Sequence, residues 1–290
     1  MRRAFTLIEL LVVIAIIAIL AAMLFPVLSR SKQKAQGTLC LNNGKQMMTA
    51  IFLYTGENEE LFPPNPDDGN IVPGYNWCGG KAGIGGPQEF DDDVLKDPNR
   101  SLLFPYLKGD VSVFHCPSDK RWGSFNGHEV PAARTFSMNQ AVGTIDPTFD
   151  QYRTGHSGVP NLPVNGPWLN NQYNHRANAP WCTYGKLSSV TQPGPAMLWV
   201  LLDEDANGLN DAAFGFGMEQ PIWVDAPGTY HDGGCGFAFA DGHSEAHHWA
   251  SPAPKIADNN PIVEDTDKQD WLWMRARTSA DSTGTMPPIN

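Results

Sequence analysis

The sequence predicts an α+β fold: a long N-terminal helix, transmembrane in its first half, packed through its second half on an antiparallel β-sheet head with long loops. Three observations predict this. An unbroken apolar run fills Phe5 to Leu28, and a stripe at helical spacing continues it to Tyr54. The rest is rich in Gly, Pro, Asn and Trp, and its short apolar runs are separated by turn signals. A chain of 290 residues can bury a sizeable core. Its 28 Gly and 24 Pro argue for loops and sheet rather than a helical bundle.

In the first element, Glu9 is the only charged side chain between Phe5 and Leu28. As a helix these residues span about 36 Å at ~1.5 Å per residue, enough to cross a bilayer's hydrocarbon layer. Arg2 and Arg3 precede the run with no comparable basic flank after it, which predicts a cytoplasmic N-terminus and an exported bulk. The run is too long for a secretory h-region and has no clean small-residue cleavage site at its end. A plain signal anchor leaves Glu9 unexplained, because a carboxylate in a spanning helix costs on the order of a few kcal/mol unless paired. Pro26 removes a backbone donor within the helix and bends it.

In the second half, Cys40, Met47, Ile51 and Tyr54 recur at spacings that place them on one face, with Lys32, Lys34, Gln36 and Lys45 between them. Gly37 and Gly44 weaken this stretch, and Pro63-Pro64 lies beyond its end. Val111–His115, Arg134–Met138 and Ala196–Leu202 read as strands. Cys235–Ala240 and His243–Trp249, joined by Asp241-Gly242, read as a hairpin with a two-residue turn in which both turn residues take positive φ. The organisation is therefore a leader at 1–4, a helix at 5–56 with 5–28 in the membrane, and a head at 57–290.

The formal charge of −11, with no basic run beyond Arg2-Arg3, argues against nucleic acid and against a polybasic lipid contact. Five cysteines, none in a CxxC pair, exclude a thioredoxin-like motif and a zinc ribbon. Export would permit disulfides, with an odd thiol left over.

Ala4-Phe5-Thr6-Leu7-Ile8-Glu9 with the following apolar run resembles the leader of type IV prepilins and type II secretion pseudopilins. The resemblance implies cleavage between Ala4 and Phe5 by a prepilin peptidase and methylation of the new amine. It also implies that Glu9 pairs with a neighbouring subunit's amine, and that Pro26 is the pilin helix proline. Ala4 departs from the usual Gly. His231, nine residues and Asp241-Gly242 resemble the H-X9-DG element of many prepilin-type proteins. Cys40-Leu41-Asn42-Asn43, His115-Cys116-Pro117-Ser118-Asp119, Ser137-Met138-Asn139, Leu202-Asp203-Glu204 and Trp271-Leu272 with Arg277-Thr278 fit that subfamily too.

Asp203, Asp205, Asn207 and Asp211 follow the D-x-D-x-N-G opening of a calcium loop, although Phe214 stands where an EF-hand needs its bidentate Glu. Calcium (Ca2+) is the one cofactor this suggests; a solvated Asx turn is the plainer reading. His231, Asp241 and His243 fit neither HExxH nor GxSxG, and a hydrogen bond from His231 to Asp241 or to the turn backbone is the economical role. Trp168, Trp181, Trp249, Trp271 and Trp273 read as core or subunit contacts.

These readings make the chain a structural subunit, not an enzyme. By the resemblance it is expected to assemble as a homo-oligomeric helical filament with other pilins, served by prepilin peptidase, an assembly ATPase and an inner-membrane platform, and to pass from the inner membrane to the periplasm or cell surface. The alternatives are an anchored or secreted glycan-binding protein, whose affinity would survive Glu9→Ala, and a surface hydrolase using the His/Asp cluster.

Overall fold

The computed structural model describes residues 7–65, 76–145, 162–163, 165–170, 175, 178–251 and 253–287. Ala4 and Phe5 lie outside them. Helix α1 (Leu7–Glu57) is continuous through Pro26 and has two unlike halves. Side chains from Leu7 to Leu28 face outward, with Phe25 70 % exposed, whereas Cys40, Met47, Met48 and Ile51 are sealed in the core. Each buried Met or Ile contributes roughly 2 kcal/mol of transfer free energy. The apolar half gains nothing of the kind from its own chain.

The sheet has five strands: β1 (Phe136–Asn139), β2 (Trp199–Asp203), β3 (Ala213–Phe214), β4 (Gly234–Phe239) and β5 (Ser244–His248). Their spatial order is β5-β4-β2-β1-β3. Every pairing is antiparallel except that of β1 with the short edge strand β3. β1, β2 and β4 are buried throughout, which accounts for the apolar runs of β2 and β4, while in β1 the buried Ser137 donates to Glu204 and Asn139 Nδ2 to Trp199 O (2.9 Å). Helix α2 (Asp265–Thr278) covers the face away from α1. There Trp273 meets Phe237 at 5.1 Å and stacks on His247 at 3.7 Å, and Trp199 Nε1 donates to Thr278 Oγ1 (3.0 Å). The molecule is layered helix, sheet, helix.

Two glycines explain how α1 sits so close to the sheet. A Cβ on Gly44 would stand 3.3 Å from the Ala238 Cβ, and one on Gly37 would stand 3.4 Å from His231 Nδ1. The residues that weaken the helix in isolation are those that let β4 approach it.

Two expectations need correction. Val111–Phe114 is a 3-10 turn rather than a strand, capped by Asp110, whose side chain accepts from Ser112 N–H; burying Val113 and Phe114 outweighs their β propensity. In the hairpin, Ala238 pairs with Ser244 and Phe237 with Glu245, one residue away from a two-residue turn. Gly242 N–H donates to Phe239 O (2.8 Å) and Phe239 N–H donates to His243 O (2.9 Å), closing a three-residue loop over 240–242. Within it only Gly242 has a positive φ, +93°.

Candidate functional site

The N-terminal half of α1 is the first candidate. Glu9 sits in its first turn, within an outward-facing apolar surface that includes Leu10, Leu11, Ile14, Ile17 and Leu20, each more than half exposed. A continuous apolar surface of this length needs either lipid or other helices around it. By length and composition the helix can cross a membrane, and none of its apolar window is buried by the head.

The second candidate lies where the buried half of the helix begins. Cys40 of α1, Cys116 of the loop before β1, Asp203 at the end of β2 and His231 before β4 are all buried, with one ligating atom from each within 4.8 Å of every other. His231 Nε2 and Asp203 Oδ2 are 2.6 Å apart. Cys116 Sγ stands 3.5 Å from His231 Nε2, and the Cys40 thiol donates to Asp203 Oδ2 at 3.6 Å. The other carboxylate oxygen, Oδ1, accepts from Gly236 N–H (2.9 Å), and Cys235 Sγ donates to Asp203 O (3.1 Å).

Neighbouring residues hold each member in place. Asn43 Nδ2 donates to His115 O (3.0 Å) and Gln36 Nε2 to Pro117 O (2.8 Å), so α1 grips the loop that carries Cys116. Thr135 Oγ1 accepts from Cys116 N–H (3.2 Å) and donates to Asp119, which pairs with Arg121. Gly37 makes room for the His231 ring.

The electrostatics follow from burial and partners. Burial works against the imidazolium of His231, but the Asp203 charge and hydrogen bond, helped by Cys116, push it up to about 10. Burial also raises the Cys116 thiol, and hydrogen bonds from Cys40 and His231 overcome this to bring it down to about 7. The Cys40 thiol is pushed up, first by burial and then by Cys116 and Asp203. All five cysteines are free thiols.

His231 therefore pairs with Asp203 and not with Asp241. Asp241 instead serves the turn, accepting from His243 N–H (3.0 Å) and pairing with that ring's Nδ1 (2.5 Å). His243 in turn stacks on Phe239 at 4.4 Å. The ends of the strand are too far apart for His231 and Asp241 to meet.

Asp203, Asp205, Asn207 and Asp211, the residues of the calcium reading, are each engaged by protein groups. The Asp203 carboxylate is turned into the thiol cluster, and buried Asp211 accepts from Ala213 N–H (2.7 Å). Asp205 accepts from Asn207, and those two border a separate shallow cleft. Among the described residues, these carboxylates do not converge on one point.

The tryptophans are mostly structural. Trp249 Nε1 donates to Gly228 O and Trp271 Nε1 to Gly217 O, and both rings are buried, as is Trp181. Trp273 is sandwiched between His247 and the Arg277 guanidinium at 4.2 Å.

Sequence reasoning found His231 and Asp203 but assigned them to different features, and it passed over Cys40 and Cys116. Their signal was present, because each stands in a short segment already quoted for its likeness to the H-X9-DG subfamily.

Residues 1–25 match the family model of the prokaryotic N-terminal methylation motif. Neither a curated protein nor a solved structure matches the chain. Together with the apolar helix leading into an antiparallel-rich sheet, the motif gives an α+β, pilin-like arrangement. It fits a type IV pilin-like prepilin that is made as a membrane-anchored precursor and processed by prepilin peptidase.

Proposed function

We propose that this chain is a structural subunit of a type IV pilus-like filament or type II secretion pseudopilus, assembled through the first half of α1. The observation that carries this reading is the coincidence of the methylation motif with an apolar helical surface that the head leaves wholly uncovered. Cleavage between Ala4 and Phe5 would create an ammonium four residues before Glu9. Each of these charges is costly in lipid alone, and the two offset one another when a neighbouring subunit supplies the partner. Lateral packing of the apolar helices would then form the filament core, with the heads outside.

The test is N-terminal peptide mass spectrometry on native membranes and on sheared surface material. The expected product begins at methylated Phe5 and is present in the sheared or pelletable filament fraction. Glu9→Ala should leave cleavage intact and reduce assembled material at least tenfold. A chain still beginning at Met1, or one cut beyond Ala22, would sink the proposal.

A further inference from the structure

We propose that Cys40, Cys116, Asp203 and His231 form a tetrahedral site for a divalent metal ion of borderline softness, best suited to Zn2+. The donor set points to the ion's class. Two thiols, one imidazole and one carboxylate suit Zn2+, whereas Ca2+ and Mg2+ demand oxygen ligands and Cu+ favours sulfur alone.

The geometry is close to what such a site needs. In a tetrahedral zinc site, bonds of about 2.0–2.3 Å set neighbouring donor atoms roughly 3.3–3.8 Å apart. Here Cys40 Sγ to Asp203 Oδ2 is 3.6 Å and Cys116 Sγ to His231 Nε2 is 3.5 Å, and no pair of donor atoms exceeds 4.8 Å. One pair, His231 Nε2 and Asp203 Oδ2 at 2.6 Å, is closer than such spacings and shares a proton that an ion would replace. On binding, each thiol releases its proton to solvent and His231 Nε2 gives up its own, which leaves two thiolates, a carboxylate and a neutral imidazole around the ion.

The surroundings are those of a metal site. Asp203 Oδ1 is fixed by Gly236 N–H, so the free oxygen points into the cluster. His231 Nε2 is the ring atom that faces the other three donors, 2.6 Å from Asp203 Oδ2 and 3.5 Å from Cys116 Sγ, while Nδ1 is buried with no hydrogen-bond partner among the described residues, so the protein groups around it do not supply the second hydrogen bond that usually orients a ligating imidazole. A groove of about 430 Å3 opens beside His231, between Gly37 and Leu41 of α1 and Asp232 and His248.

The four ligands come from four separate stretches of chain, so the ion would bolt α1 to the head. That effect does not depend on whether the protein forms filaments.

The experiment uses the full chain, purified in detergent under reducing conditions. The expected result is one zinc ion per chain by elemental mass spectrometry. After removal of that ion, titration with Co2+ should give intense visible bands and a near-ultraviolet thiolate-to-cobalt band, both typical of tetrahedral sulfur ligation. Zinc should raise Tm by about 5 °C or more at saturating concentration. Cys116→Ser should lose metal at least tenfold, whereas Cys78→Ser, a buried thiol that touches none of the four ligands, should keep it. If Cys116→Ser does not fold, the wild-type cobalt spectrum remains an independent readout. Weak octahedral cobalt bands from folded, reduced protein would overturn the proposal, as would a Cys40–Cys116 disulfide in the native chain.

Discussion

His247 shows how one side chain's surroundings set its chemistry. Its ring is stacked on Trp273 and edged by Trp249 and Phe237. Burial pulls its pKa down from 6.5 to about 4; Asp270, 4.0 Å away, opposes this, while Arg277, His248 and Lys255 add to it. Because the folded value lies below the unfolded one, the group's contribution to stability is complete above about pH 6.5 and disappears as pH falls through 4. His247→Phe keeps a ring on Trp273 without the titration. Chemical denaturation of both proteins from pH 7 to pH 4 should show the wild type losing more stability over that window. Parallel curves would mean the ring is open to water. Asp270 has a further role that sequence did not show: it accepts from Ala250 and Ser251 N–H and pairs with the buried Lys255 at 2.9 Å. A buried Lys is legible only once its two carboxylates and the rings of Trp223 and Trp249 are in place around it.

At the scale of elements, the segment from His231 to Gly242 is a clamp along α1. His231 lies against Gly37, Gly236 near Cys40 and Leu41, Ala238 against Gly44, and Gly242 under Phe52. Helix and strand run side by side in the same direction, and the H-X9-DG spacing is the length of strand between the two ends of this contact. Gly242 is required twice over, since its φ is +93° and a Cβ there would come 2.9 Å from the Phe52 ring. Gly242→Ala should therefore destabilise the chain by about 2–4 kcal/mol, read by denaturant unfolding in detergent. A change below about 0.5 kcal/mol would show that the turn relaxes freely. The helix, its buried stripe and the hairpin were legible because each has a local signal: apolar length, 3.6-residue spacing and a turn dipeptide. The turn type was not. Asp-Gly suits both two- and three-residue loops, and the ring packed against Gly242 belongs to Phe52, 190 positions earlier (242 − 52) in a helix that sequence alone does not align with the hairpin. The His231 partner was hidden for the same reason, since β2 must lie beside β4 before Asp203 can reach it.

The whole molecule divides at about Gln36. On one side lies a helix that the described head does not cover; on the other, the same helix packs its buried face on the sheet and closes one side of the head's core. A chain beginning at Ser29 should therefore be soluble without detergent and melt within about 3 °C of the full-length protein, as followed by circular dichroism. A drop of more than 10 °C would show that the apolar half stabilises the head. Composition made this division readable from sequence, because lipid-facing and core-facing helices differ in where their polar residues fall. It could not show that two loops, the end of a strand and the helix meet at one buried cluster, as that depends on the complete topology.

The side-by-side run of α1 and β4 also has a mechanical meaning. A helix of 51 residues is a rod about 76 Å long at ~1.5 Å per residue, and it serves as both stem and spine of the head. In a fibre joined through the stem, tension enters the head along the rod's axis. The contacts from Gly37 to Phe52 are then loaded together, in shear, and must yield at once rather than unzip one by one. A head built this way resists pulling along the rod better than pulling across it, because only the second peels the contacts apart one at a time.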